Sequence, residues 1–129
     1  MVRPDTNVKP TMYAADVANI AAGATYSTPS QAISVAGLDW ITLWLKATGH
    51  AAGSAGNITF NLVFSGDGTT YSTVVTPYVV PVAGTAAAVS APILLDVRGI
   101  NALKVLSIIN GDAGQQVDSL NVLLTNVKT

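Results

Sequence analysis

Any chemistry in this chain has to come from a small set of side chains. There is one histidine, His50, no cysteine, and all seven acids are aspartate. Acid–base catalysis needs paired carboxylates, or a base within reach of a nucleophile. His50 sits in a stretch of small residues, ATGHAAGSAG, with Asp39 as its nearest acid in sequence. A zinc site wants about four ligands, usually His or Cys. His50 therefore reads as an exposed loop histidine. Asp39, Asp67, Asp96 and Asp112 each stand beside a turn glycine or a strand end, where an aspartate carboxylate accepts local backbone N–H groups. Gly66-Asp67-Gly68 offers a single acid, too few for a calcium loop, and lacks the third glycine and helix of a dinucleotide loop. No catalytic, metal-binding or cofactor-binding residue is expected, and no cofactor. The remaining chemistry is aromatic: Trp44, Tyr71 or Tyr78 would stack on sugar rings if two or more aromatics were exposed on one concave face.

The elements that would position these groups are strands. From Trp40, odd positions Ile41, Leu43 and Leu45 are aliphatic, while Trp40, Thr42, Trp44 and Lys46 alternate with them. Ile58, Phe60, Leu62 and Phe64 repeat the pattern against Thr59, Asn61, Val63 and Ser65. Period 2 marks a strand with one buried face. The outward tryptophans, Trp40 and Trp44, are either interface anchors or caps on the second side of a sandwich. SGDGTTY is a hairpin turn, in which Gly66 and Gly68 allow positive φ on either side of Asp67. Residues 71–83 carry Pro77 and Pro81, which suits an edge strand or one bent between sheets. Short strands are expected around 17–22 and 31–35, separated by Thr-Tyr-Ser-Thr-Pro-Ser. In 103–109 both faces look apolar, which predicts a strand covered on two sides. A final strand runs from Val117 to Val127. About eight short strands with regular turns predict an all-β fold, an antiparallel β-sandwich of jelly-roll type.

Composition narrows the partners. Hydrophobic residues make up 50% of the 129 and charged ones only 10%, with a net charge of −1. Scattered cations exclude the basic patch that nucleic acid requires, and no run is long enough for a membrane-spanning helix. The low charge suits either a Thr/Ser/Asn-covered β-protein or a surface turned toward other subunits. MVRPDTNVKP lacks a signal-peptide hydrophobic core, so synthesis in a cytoplasm is expected. Residues 1–13 have two prolines and no clean period, and read as an extended arm ahead of one domain over 14–129. Such an arm either frays or drapes over a neighbouring subunit. In the second case Val2, Arg3, Met12 and Tyr13 are its contacts, alongside Trp40 and Trp44.

NITFNLVFSGDGTTYSTV, then PILLDVRGINALKVLSIINGDAG and a closing strand, resemble small β-sandwich proteins of tailed-bacteriophage virions. The shared devices are Ser-x-Asp-Gly-Thr-x-Tyr, Asp-Val-x-Gly-Ile and Asn-Gly-Asp, over roughly the C-terminal 70 residues. The resemblance implies a capsid decoration (cement) protein at the capsid surface, often trimeric, seated over contacts between capsid subunits. It also implies an N-terminal arm reaching into the shell or a neighbour. The expected partners are copies of itself, with a trimer favoured, and a capsid or other virion protein. A structural role ranks first, a carbohydrate-binding module with a glycan partner second, and an enzyme third.

Overall fold

The structure is a computed structural model, and it describes residues 12–13, 17–50, 52–53, 56–82 and 88–127, without the side chains of 121 and 123–127. Nine strands follow in order: β1 (Val17–Ile20), β2 (Thr25–Tyr26), β3 (Ile33–Ser34), β4 (Trp40–Thr48), β5 (Asn57–Ser65), β6 (Thr76–Pro81), β7 (Ala88–Asp96), β8 (Ala102–Asn110) and β9 (Val117–Val127). They form two antiparallel sheets packed as a β-sandwich, with no helix among the described residues. One sheet has the order β1-β9-β4-β7; the other has β2-β8-β5-β6, with β3 also on β8. The consecutive long strands β4 and β5 thus lie in different sheets, so the small-residue loop between them crosses the sandwich.

The alternation of β4 sends Ile41, Leu43, Leu45 and Ala47 inward, each almost fully buried. They face Ile58, Phe60 and Leu62 of β5 and Leu103, Val105 and Ile108 of β8 in one continuous core. Burying each large aliphatic or aromatic side chain is worth about 1.5–3 kcal/mol, so these three strand faces are a main source of stabilisation. The two-sided cover expected for β8 is not found. Its register against β5 shifts between Asn61 and Leu62: Asn61 faces Ser107, whereas Leu62 faces Val105. Leu106 is the extra residue of a β-bulge, and it is 36% exposed. The bulge moves the inward face from odd to even positions, which mimics an apolar pattern on both faces.

The Thr-Tyr-Ser-Thr-Pro-Ser stretch expected to separate strands contains β2. β2 and β3 both lie against β8, at Thr25↔Ile109 and Ile33↔Leu103. Between them, near Pro29, Ser30 keeps the ladder closed. Its N–H donates to the Val105 carbonyl at 2.9 Å, and its Oγ accepts the Val105 N–H at 2.9 Å. On the same side, the Met12 N–H donates to the Val122 carbonyl at 3.0 Å, while the Met12 carbonyl accepts the Gln31 N–H at 3.0 Å. Met12 therefore stitches the two sheets together.

Every outer strand carries an interruption. β6 is an edge strand, as its prolines predict, with Pro77 opposite Asn61 and Pro81 opposite Asn57. β7 holds Pro92, β1 holds Asn19 at a φ of 59°, and the β2–β3 edge is broken around Pro29. Proline removes an N–H, and a left-handed residue bends the strand, so none of these edges offers a continuous ladder.

Candidate functional site

The outer face of the β1-β9-β4-β7 sheet carries the outward tryptophans. Trp40, Thr42 and Trp44 are half-buried and Lys46 is exposed, alternating with the buried aliphatics of β4. Opposite them on β7, the register places Asp96 against Trp40, Leu94 against Thr42, Pro92 against Trp44 and Ser90 against Lys46. Leu94 is 64% exposed. The result is a strip of Trp40, Trp44, Pro92 and Leu94 bordered by charge. Leu94 was not singled out by its sequence, because Ile93-Leu94-Leu95 has no period; its register with Thr42 is the signal.

At one end of the strip the Arg98 guanidinium lies 5.7 Å from the Trp40 ring centroid and pairs with Asp96, its Nε donating to Oδ1 at 2.9 Å. The pair is largely exposed, so solvent screens it and it is no anchor of the fold. Its hydrogen bonds hold the Asp96 carboxyl down at about 2.

Val2 and Arg3 lie outside the described residues. Met12 and Tyr13 do not form an exposed arm contact. The Met12 side chain is fully buried in the chain's own core and Tyr13 nearly so. The Tyr13 ring meets Tyr26 edge-on at 5.9 Å, and its hydroxyl donates to the Thr28 carbonyl at 3.3 Å. Burial, then the neighbouring Tyr26, pushes the Tyr13 hydroxyl well above its ordinary range. The physical reason is the open side of the sandwich, which Met12 and Tyr13 fill.

The proposed sugar platform is not brought together. Trp44 is on the outer face of one sheet, whereas Tyr78 pairs with Phe60 in the other and packs against the core. Tyr71 bridges to Ser65, and the Lys104 Nζ stands 4.4 Å from its ring centroid. The Trp40 ring has Arg98 beside it.

The loop aspartates act on the backbone. The Asp67 Oδ1 accepts the N–H groups of Thr69 and Thr70, at 2.8 and 2.7 Å, and the Ser65 hydroxyl at 2.9 Å. Of the two flanking glycines, only Gly68 has a positive φ, 84°; Gly66 does not need its special freedom. Asp112 accepts the Gly114 and Gln115 N–H groups. His50 is half-buried, not exposed, and its Nδ1 accepts the Ala52 N–H at 2.9 Å. Among the described residues there is no group of three or more His, Cys, Asp or Glu arranged to hold a metal, and no helix is long and apolar enough to cross a membrane.

These carboxylates set an acid limit on the fold. Backbone N–H groups lower the Asp67 carboxyl to about 2, as the Arg98 contacts do for Asp96. An unfolded aspartate titrates near about 3.9. Their contribution is therefore complete above that value and is lost as pH falls through about 2. Thermal melts from pH 5 to pH 2 are expected to show Tm falling progressively below about pH 4. Asp67→Asn, which keeps an acceptor oxygen, is expected to flatten part of that slope; an unchanged slope would assign the acid limit elsewhere.

Asn110, which opens the Asn-Gly-Asp device, does more than its sequence neighbours indicate. It is fully buried at the end of β8. Its Nδ2 lies 3.1, 3.2 and 2.9 Å from the carbonyl oxygens of Ile20, Ala21 and Gln115, and its Oδ1 accepts the Asp112 N–H at 3.0 Å. One side chain thus ties the end of β1 to the β8–β9 connection.

No family model, curated protein or solved structure matches the chain.

Proposed function

We propose that this chain is a non-enzymatic structural protein of a virion, a capsid decoration or cement protein that binds and stabilises a protein shell. The observation that carries this reading is the strip of Trp40, Trp44, Pro92 and Leu94 on an outward sheet face. Fully desolvated aromatic anchors dominate interface energetics. The interrupted edges support the same reading, because they turn assembly away from strand addition and toward a sheet face. Low charge over the whole chain suits surfaces that meet protein. Within this reading the sandwich is a jelly roll. With β2 and β3 taken as halves of one strand, each sheet has four strands, in the order first-eighth-third-sixth and second-seventh-fourth-fifth. Residues 1–11, which precede the buried Met12, form the arm that reaches the shell or a neighbouring subunit.

Quantitative mass spectrometry of purified virions tests this. The chain is expected as a stoichiometric particle component, and a chain lacking residues 2–11 is expected to fold with an unchanged core but to be depleted from particles. Absence of the full chain from particles would overturn the reading. Equal incorporation of the shortened chain would remove the arm from it.

A further inference from the structure

The strip formed by β4 and β7 is self-complementary. Consider a two-fold axis lying between two such faces, perpendicular to the strands and opposite the Leu43–Ile93 pair. It exchanges positions 42 and 44 on β4, and positions 92 and 94 on β7, since Thr42 faces Leu94 and Trp44 faces Pro92. Trp44 of each copy then lies over Thr42 of the other, and Leu94 over Pro92. Large residues meet small ones, which is how packed layers interdigitate. These central pairs tolerate the crossing of about 30° usual for packed sheets.

The ends of the strip match as well. Asp39, Asp96 and Arg98 cluster at the Trp40 end, where Asp39 and Asp96 both act on the Arg98 charge. Among the described residues, two carboxylates and one guanidinium meet at that end. Lys46 makes the other end of β4 positive. The same axis brings Lys46 of one copy to the Trp40 end of the other, where the Asp96 carboxylate lies opposite Trp40, so opposite charges approach there.

The size is adequate. Strands about 4.8 Å apart, of four, eleven, nine and nine residues each rising about 3.3 Å, give a face of about 520 Å² per copy. That is about 1,050 Å² in total for two copies, close to the threshold of about 1,000 Å² for a specific interface.

We infer that the outer face of the β1-β9-β4-β7 sheet pairs two copies of this chain about a two-fold axis, with Trp44 seated on Thr42 of the second copy. This rests on the assembly reading and names the occupant of its face; it sets a two-fold contact where the virion-protein resemblance implies a trimer.

Sedimentation equilibrium of the full chain tests it, with thermal melts confirming that each variant is folded. The full chain is expected at twice 13.2 kDa. Thr42→Trp sets two indoles against each other and Trp44→Thr leaves a hole, so each alone is expected to weaken pairing by about 30-fold or more. The double variant exchanges large and small at both positions, and is expected to restore affinity to within about 3-fold. A full chain that stays monomeric up to its solubility limit overturns the pairing, as does a double variant no better than either single one. Monomers that are still incorporated into virions leave the assembly reading standing and assign the face to a shell protein. Dimers from a chain absent from virions leave the pairing standing and overturn the assembly reading.

Discussion

Asn110→Ala is expected to cost the fold about 3–4 kcal/mol, close to the largest loss a single substitution gives. The deletion leaves the Ile20, Ala21 and Gln115 carbonyls and the Asp112 N–H without the Asn110 amide. Each buried group left unpaired costs about 1–3 kcal/mol, although water recovers part of this for groups near the surface. In a domain of this size the loss lowers Tm by about 10–15 °C. Asn110→Asp separates hydrogen bonding from size. At neutral pH its carboxylate would face three carbonyl oxygens, which raises its folded pKa above the unfolded value. Its penalty therefore shrinks as pH falls and the group takes up a proton. Melts of Asn110→Asp are expected to gain stability relative to the parent from pH 7 to pH 5. An Asn110→Ala loss under about 1 kcal/mol would remove Asn110 from its central role.

The second large effect is steric. A Cβ added at Gly56 would lie 2.5 Å from the Asp112 Cα and 2.6 Å from its nitrogen; one added at Gly111 would lie 2.7 Å from the Asn57 carbonyl oxygen. In both cases the obstacle is backbone, which cannot swing aside as a side chain can. The start of β5 and the β8–β9 connection are in direct contact there, joined by the Gly111 N–H donating to the Asn57 carbonyl at 2.8 Å. Gly56→Ala is expected to destabilise by about 2–4 kcal/mol. Gly66→Ala is the contrast, since its nearest neighbour, the Gly99 carbonyl oxygen, is 4.0 Å away. Reduced freedom of the unfolded chain makes that change neutral or stabilising by up to about 1 kcal/mol. Denaturant titrations of the two variants compare them directly, and equal midpoints would refute the contact argument.

The strands with clean alternation were legible in the sequence. β4 and β9 have one aliphatic face each, and their turns carry aspartate and glycine; β5 was legible as a strand, but its single inward face was not, since Asn61, Val63 and Ser65 are buried as well and Phe64 is only half-buried. β2 was not legible, because Tyr26 is followed by Ser-Thr-Pro-Ser, whose local turn chemistry hides two residues on a ladder. β8 misled for a different reason: one extra residue, Leu106, switches the inward face halfway along. That event depends on the partner strand and has no local signature. The start of β7, Ala88-Val89-Ser90-Ala91, is too uniform in size to show a period. On the candidate face, Trp40 and Trp44 were legible because they alternate with Ile41, Leu43 and Leu45, whereas Leu94 needed the β4–β7 register. Met12 read as an anchor for a neighbour because nothing in its flanking residues indicates that its main chain joins Val122 to Gln31.

Asn110 is followed by glycine, the sequence most prone to spontaneous deamidation, in which the next backbone nitrogen attacks the side-chain amide to form a succinimide. Here that nitrogen belongs to Gly111 and donates to the Asn57 carbonyl, while the amide it would attack is buried and held in place at both of its polar atoms. The corner that joins the sheets also withholds its own most labile bond from hydrolytic ageing. Chemical damage at that bond must wait for the corner to open, so the shelf life of the chain follows the local opening of its fold.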